Sequence, residues 1–338
     1  MKKALITGIT GQDGCYLAKL LLSKNYKVYG AQRRNTGFKH WRLEEFGIAN
    51  QIKFLDIDLN EPYNIEKAIN NILPDEIYNL AAMSFVSLSF DQPQVTTLTN
   101  SLGVLNILEV IRNKYPEIKF YQASTSEMFG KVTETPQNET TRFYPRSPYG
   151  CSKAFAHYLT VNYRESYNLF ACSGILFNHE SPIRGEEFVT RKITKGLVEW
   201  LNTGKILELG NLDSYRDWGH AQDFVKAMWL MLQQDEADDY VISTGTKTQV
   251  KDFVRKCLDE LNIKYTFEGN EVLDDKGNYI IKTNPKLYRP AEVDLLIGDS
   301  TKAQKKLNWQ PKHSLDSLVK EMIKIELKRY EKKNIFLI

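Results

Sequence analysis

Short apolar runs of strand length alternate with helical patterns from residue 3 to about residue 177, and this alternation narrows the possible folds sharply. Ala4-Leu5-Ile6 reads as a first strand, and residues 16–23 read as an amphipathic helix with Leu17, Leu20 and Leu21 on one face. Further strands are expected at 26–31, 53–57, 76–81, 118–123 and 171–177, with helices at 104–114 and 154–167. Buried strands separated by helices call for a parallel sheet covered on both faces, because a crossover helix returns each strand to the same edge. The expected class is therefore α/β, with a doubly wound parallel (Rossmann) sheet.

Beyond residue 180 the rhythm loosens into polar loops, with helices expected near 192–201, 222–233 and 315–332. The expected organisation is a dinucleotide-binding Rossmann domain over 1–177 and a smaller, mainly substrate-binding lobe over 178–338. Late segments of that lobe remain candidates for returning to the main sheet. The 338 residues are 42% hydrophobic and 26% charged, enough apolar material for a substantial core. A formal charge of +3, with basic and acidic residues interleaved, argues against nucleic acid or an anionic membrane as partner. There is no apolar run of about 18 residues, so no membrane span is expected. Met1-Lys2-Lys3 is followed only by Ala4-Leu5-Ile6 before glycines intervene, which suits a strand and not an export signal. Cys15, Cys151, Cys172 and Cys257 match neither a zinc site nor a disulfide framework, and a reducing, cytoplasmic setting is expected.

The first strand runs into Thr7-Gly8-Ile9-Thr10-Gly11-Gln12-Asp13-Gly14, whose glycines are spaced Gly-x-x-Gly-x-x-Gly. Glycine lets the backbone turn tightly and approach a pyrophosphate, whose charge then sits at the N-terminus of the following helix. A strand before and a helix after give this short pattern its force; a ligand-free turn is the plainer alternative. At the end of the second strand an NAD site calls for a carboxylate on the ribose hydroxyls, yet the chain reads Ala31-Gln32-Arg33-Arg34. Guanidinium groups suit a 2′-phosphate, which favours NADP. Asp58, after the third strand, is a candidate for the adenine amino group or a simple strand-end cap.

Tyr149-Gly150-Cys151-Ser152-Lys153 is a Tyr-x-x-x-Lys motif opening a helix, so both side chains lie on one face. An ammonium beside a phenol favours the phenolate, and Tyr149 is expected to have a lowered pKa and to act as a base. Upstream, Ser124-Thr125-Ser126-Glu127 follows a strand whose end points into the ligand crevice. Thr125 suits a substrate hydroxyl. Glu127 supplies a carboxylate able to take a proton alpha to a new carbonyl and return it to a leaving group. A capping box would give the same pattern.

These residues resemble those of the extended short-chain dehydrogenase/reductase superfamily, and within it the GDP-mannose 4,6-dehydratase family. The resemblance covers nearly the whole chain. It rests on Thr7 to Gly14, Asn79-Leu80-Ala81-Ala82, Tyr121-Gln122-Ala123-Ser124-Thr125-Ser126-Glu127 and Phe143-Tyr144-Pro145-Arg146-Ser147-Pro148-Tyr149. The second half adds Leu176-Phe177-Asn178-His179-Glu180-Ser181-Pro182, Phe188-Val189-Thr190-Arg191-Lys192, Arg216-Asp217-Trp218-Gly219-His220 and Arg289-Pro290-Ala291-Glu292-Val293-Asp294.

The resemblance implies a redox-neutral dehydration of a GDP-linked, manno-configured sugar to its 4-keto-6-deoxy form, with Thr125, Glu127, Tyr149 and Lys153 catalytic. For NADP it implies contacts from Gly8, Thr10, Gly11, Gln12, Asp13, Gly14, Arg33, Asp58, Leu59, Leu80, Ala81, Ala82, Tyr149, Lys153, His179 and Arg184. For the substrate it implies Ser84 and Ser126, with Asn178, Arg184, Arg216 and Arg289 around the diphosphate and ribose. Val189 and Lys192 fall near the guanine and Glu292 near the ribose. The loop after Arg33-Arg34 resembles a segment that meets a neighbouring subunit's cofactor, so a homodimer or homotetramer is expected. No metal is implied.

Two departures stand out: where the family commonly reads Ala-Ala-Gln-Ser-His-Val, this chain has Ala81-Ala82-Met83-Ser84-Phe85-Val86. Loss of an amide and an imidazole leaves GDP-mannose and a C6-extended GDP-manno-heptose as candidate sugars. A nucleotide-sugar epimerase or reductase would share the glycine loop, Tyr149 and Lys153 but would not need Glu127. A non-catalytic NADP sensor would need none of the four.

Overall fold

The computed structural model describes residues 1–34, 40–288, 291, 293 and 295–335, with 333–335 described by backbone alone. Seven parallel strands form the central sheet: β1 Lys3–Thr7, β2 Lys27–Gln32, β3 Lys53–Asp56, β4 Glu76–Asn79, β5 Lys119–Thr125, β6 Ala171–Leu176 and β7 Asp239–Ile242. Their order is β7-β6-β5-β4-β1-β2-β3. The chain starts in the middle, winds outward to β3, then returns to β4 and winds the other way. This is the doubly wound sheet expected from the alternation, with its reversal between β1 and β4.

Period-two alternation along the strands builds the two layers. Leu5, Ile77 and Phe120 point to one face, while Ile6, Tyr78 and Tyr121 point to the other. Helix α1 (Gln12–Ser23) lies on the second of these faces. The first face is covered by α2 (Pro62–Ile72), α3 (Gly103–Lys114) and α4 (Pro148–Tyr167), through Ile65, Ile69, Ile107, Ile111 and Tyr163. The second is covered by Leu17 and Leu21 of α1, joined by Phe224 and Met228 of a later helix (Ala221–Leu232) and by Trp309.

The second half forms a lobe with its own core. Helices α5 (Val189–Thr203), α6 (Ala221–Leu232), α7 (Val250–Glu260) and α8 (Leu315–Ile335) follow α4 in the chain. Of these, α5, α7 and α8 pack on a four-stranded sheet made by Leu207–Leu209, Tyr265–Glu268, Glu271–Asp274 and Tyr279–Thr283. Ile193, Leu197, Phe253, Leu258, Ile281 and Met322 fill the space between them.

Two features differ from the sequence reading. Helix α4 begins at Pro148, not at 154, because Ser147 caps it by accepting a hydrogen bond from the Gly150 amide at 3.0 Å and proline fits its first turn. Helices α2 and α7 and the small sheet had no counterpart in that reading. Strand β7, which follows β6 by some sixty residues, forms the edge of the main sheet and is thus one of the late segments expected as candidates to return to it.

Asp239 at the start of β7 accepts from both Arg164 nitrogens, at 3.0 and 2.7 Å, and also from the Ser173 amide at 3.0 Å. Both side chains of this ion pair are largely buried. Asp239→Ala is expected to cost about 2–4 kcal/mol, because it strands a buried guanidinium. Asp239→Asn, which keeps two acceptor positions' worth of shape and one oxygen, should cost less. Thermal midpoints of the two variants check this ordering.

Candidate active site

A cavity of about 590 Å³ opens at the carboxyl ends of β1, β4, β5 and β6. Its floor is the Gly8–Gly14 turn, residues 80–87, the end of β5 and the segment after β6; its other wall comes from the lobe. This is the crevice at the topological switch point, where open α/β sheets bind ligands.

The first turn is shaped by close backbone approach. Gly8 has φ +69°, and a Cβ there would lie 2.8 Å from the Ala81 amide nitrogen. A Cβ on Gly14 would lie 2.5 Å from the Gly8 carbonyl oxygen. Gly11 precedes α1 with no capping side chain, which leaves the amides of the first turn facing the cavity edge. Below this turn, Thr7 donates to Asn79 Oδ1 at 2.7 Å, and Asn79 donates to Gln122 Oε1 at 2.8 Å. The same Thr7 oxygen accepts from the Leu80 and Ala81 amides at 3.1 Å each. Three adjacent strand ends are thereby fixed in one row.

The turn is also tied to the lobe. Gln12 donates to the His179 carbonyl at 3.0 Å and accepts from the Ser181 hydroxyl at 2.7 Å. Asp13 pairs with His179 Nε2 at 2.8 Å, while His179 Nδ1 reaches the Phe177 carbonyl at 2.7 Å. Burial pushes the Asp13 carboxyl up, but the His179 charge and hydrogen bond outweigh it and hold it below the ordinary value. Burial lowers His179, and Asp13 more than offsets this, so the imidazole titrates above its ordinary range.

Thr125, Glu127, Tyr149 and Lys153 meet in this cavity. Thr125 accepts from the Glu127 amide at 3.3 Å, capping a single 3₁₀ turn (Ser126–Met128), and its hydroxyl lies beside the Tyr149 phenol, whose pKa it lowers. The cap is therefore Thr125, two residues before Glu127, and not the Ser124 of a capping box, whose hydroxyl meets His157. Helix α4 approaches closely: a Cβ on Gly150 would stand 2.8 Å from the Glu127 carbonyl oxygen. Lys153 donates to the Ala123 carbonyl at 2.8 Å, with its nitrogen 5.9 Å from the centre of the Tyr149 ring.

The electrostatics correct one expectation. Burial pushes Tyr149 up to about 12, with the nearby Glu127 charge acting the same way and the Thr125 hydrogen bond opposing. Burial also pulls Lys153 down to about 8. The lysine was expected to lower the phenol; at this separation, with its ammonium turned to a carbonyl, desolvation of both groups dominates.

Other expected residues on the cavity wall are Leu80, Ala82, Ser84, Ser126, Asn178, Val189, Lys192 and Arg216. Arg184 is there too, paired with Glu180 at 3.1 Å and lying 3.6 Å over the Phe188 ring. Arg216 donates to the Tyr215 and Val293 carbonyls at 2.8 Å each. Thr10, Arg33, Asp58, Leu59 and Ala81 stand outside the wall. Asp58 accepts from the Asn60 amide at 3.0 Å in a turn, Leu59 is buried in the core, and the Thr10 carbonyl accepts from Arg42 at 3.1 Å. Arg289, Glu292 and the loop 35–39 lie outside the described residues.

The wall also contains Phe85 and Phe188, whose ring centres are 5.9 Å apart, and Lys286, Leu287 and Tyr288. Phe85 was visible in the sequence as a departure, whereas Met83 is not on the wall. Residues 286–288 had no signal beyond adjoining Arg289. Among the described residues, no group of His, Cys, Asp or Glu is placed to hold a metal, and no helix is long and apolar enough to cross a membrane. The uncapped α1 and the glycine cradle fit a dinucleotide pyrophosphate.

Comparison with known proteins gives the family. A sequence profile described as GDP-mannose 4,6 dehydratase matches residues 5–322. The GDP-mannose 4,6 dehydratase of Homo sapiens is 49% identical, covering 95% of this chain and 90% of its own, and that of Drosophila melanogaster is 48% identical, covering 99% and 88%.

The chain belongs to the GDP-mannose 4,6-dehydratase family.

A further member, from Vibrio cholerae, is 46% identical over 97% of this chain and 94% of its own. Among solved structures, dTDP-glucose 4,6-dehydratase from Bacillus anthracis in complex with NAD superposes with a TM-score of 0.82 at 22% identity, covering 98% of each chain. RMD from Pseudomonas aeruginosa complexed with NADPH gives 0.76 at 20% identity, covering 97% of this chain and all of that one. At these identities the two structures establish the shared fold. The dehydratase family and this fold place the chain among nicotinamide-dependent enzymes.

The Asp13–His179 pair makes a pH prediction. His179's contribution to stability is complete below its unfolded value of 6.5 and is lost as pH rises through its higher folded value. Asp13's contribution is present above its unfolded value of 3.8 and lost as pH falls through its lower folded value. Thermal midpoints should therefore decline on the alkaline side of 6.5 in the wild type, and His179→Gln should flatten that decline.

Proposed function

We propose that this chain converts GDP-mannose to its GDP-4-keto-6-deoxy sugar with loss of water, using NADP retained through the cycle. The observation that carries this reading is the meeting of Thr125, Glu127, Tyr149 and Lys153 in one cavity with the glycine turn. When bound, the nicotinamide supplies a hydride acceptor for C4 and later a hydride donor for C6.

Tyr149, as phenolate, takes the O4 proton, with the Thr125 hydroxyl stabilising its negative charge. Lys153, anchored on Ala123, orients the groups around Tyr149. A carbonyl at C4 acidifies the C5 proton, which Glu127 removes. Glu127 then protonates the departing C6 oxygen, and water leaves. Finally Tyr149 gives the proton it took from O4 to C5, which restores the phenolate and closes the cycle. Glu127 separates this reading from a C4 epimerase, which needs no such acid and base.

NADP is supported by Arg33 and Arg34 following β2, with Gln32 in the position where NAD would call for a carboxylate. Asn178, Arg184, Arg216 and Arg289 are assigned to the diphosphate and ribose, Ser84 and Ser126 to the sugar, Val189 and Lys192 to the guanine, and Glu292 to the ribose. A C6-extended GDP-manno-heptose undergoing the same reaction is the second candidate substrate, because Phe85 stands on the wall where the family pattern has an imidazole. The segment from 178 onward is read as the substrate lobe, apart from the parts that complete the Rossmann layers. A second copy of the chain is the proposed partner: Leu98, Leu102, Phe155 and Tyr158 are exposed on packed neighbouring helices. A cytoplasmic location accords with four free thiols.

Glu127→Gln should retain cofactor but lose product formation by at least about a hundredfold, stopping after oxidation at C4. Full conversion by this variant, read by mass loss of water, would remove Glu127 from the mechanism. Thr125→Val withdraws the hydrogen bond that lowers Tyr149, so the acid limb of the kcat/KM profile should move to higher pH. An unmoved limb would detach Thr125 from Tyr149. Turnover of a panel of GDP- and UDP-sugars, including both candidate sugars, identifies the substrate; net NADPH release during turnover would contradict the retained hydride.

A further inference from the structure

Helix α4 contacts the end of β5 on three successive turns. Tyr149 lies beside the Thr125 hydroxyl, Lys153 donates to the Ala123 carbonyl at 2.8 Å, and His157 Nδ1 meets the Ser124 hydroxyl at 3.2 Å. The spacing of four residues keeps all three on one helix face. The first two contacts belong to the proposed chemistry. The third involves a histidine that is 5% exposed and a serine that is 3% exposed, neither of which lies among the proposed reacting groups.

His157 also touches the third segment that builds the site. Its ring meets Phe143 edge-on, with centres 5.2 Å apart and planes at 86°. Phe143 packs in turn on Phe129, two residues beyond Glu127, with centres 5.2 Å apart. The Tyr144 amide donates to the Met128 carbonyl at 3.0 Å, so the stretch leading to Tyr149 and the stretch carrying Glu127 are joined by backbone as well. One imidazole therefore contacts the Thr125–Glu127 strand end through Ser124 and the approach to Tyr149 through Phe143. Burial holds that imidazole below its ordinary pKa, with Asp239 opposing and Arg164 assisting, so it is neutral near pH 7.

We propose that His157 is a positioning residue for the dehydration, fixing Ser124 so that Thr125 and Glu127 keep their places relative to Tyr149. This rests on the dehydratase reading for its kinetic consequence, but the local constraint is independent of it. Removing the bond leaves a buried hydroxyl without its partner and frees the strand end, and misplacement of about 1 Å in such groups slows turnover about a hundredfold.

The test compares His157→Leu, His157→Asn and Ser124→Ala with the wild type, each loaded with NADP. Asparagine puts a polar atom near the place of Nδ1; leucine does not. His157→Leu should lower kcat about tenfold to a hundredfold while KM for the GDP-sugar and the NADP affinity stay within about twofold. His157→Asn should recover most of that loss. Ser124→Ala should lose about as much as His157→Leu, and the double variant no more than either alone, because both break one bond. Amide exchange in a peptide spanning 120–129 should quicken in His157→Leu and return toward wild type in His157→Asn. A kcat within twofold of wild type for both single losses, equal defects for leucine and asparagine, or multiplying defects in the double variant would overturn the proposal. If His157→Leu does not fold, Ser124→Ala alone carries the same kinetic and exchange comparison. A wild type inactive on every GDP-sugar would instead refute the dehydratase reading, and the exchange measurement would then decide the positional claim: unchanged exchange at 120–129 overturns it.

Discussion

Under the cavity floor, a threonine, an asparagine and a glutamine are hydrogen-bonded in a row across three strands, and the site depends on that row. Thr7, Asn79 and Gln122 occupy paired register positions on β1, β4 and β5, and each is almost wholly buried. Buried polar groups of this kind are stable only when their partners are in place, so the row admits one relative height of the three strands. Because Thr7 also accepts two amides from the chain leaving β4, that chain turns beside Gly8. A slip of one strand would misalign the glycine turn and the Ser124–Glu127 strand end together.

From this floor the two halves are joined by charge as well as packing. Gln12 and Asp13, at the start of α1, engage His179 and Ser181, which lie between β6 and the arginine-bearing wall. His179 stacks on Phe224 at 4.5 Å, which places the paired imidazole against the same helix that covers α1. The turn that suits a pyrophosphate and the segment carrying Asn178 and Arg184 are therefore not separately adjustable.

Much of this was legible in the sequence because it is local. The strand–turn–helix context of Gly8 to Gly14 and the four-residue spacing of Tyr149 and Lys153 each place side chains through short-range geometry alone. Less legible were contacts that depend on the return of distant segments. Strand β7 has a brief apolar core, Tyr240-Val241-Ile242, and nothing near it in sequence announces a partner in β6. The direction of the Tyr149 shift is hidden from the sequence for a related reason: spacing reveals that Lys153 is near, but not how completely both groups are desolvated. Helix α2 was within reach, since Ile65, Ala68, Ile69 and Ile72 follow the helical period.

The interweaving of the halves also bears on the order in which the molecule can assemble during synthesis. Trp309, fully buried against Phe224 and in the same core as Leu17 of α1, lies near the end of the chain. Its indole nitrogen donates to the Asp223 carbonyl at 2.8 Å, and the Asp223 carboxylate accepts the amides of Lys312 and His313. Strand β1 and helix α1 thus wait for residues much farther along the chain before their layer is sealed. Contacts of such long sequence separation make closure a late event, and the nascent sheet keeps part of one apolar face uncovered until that segment is made.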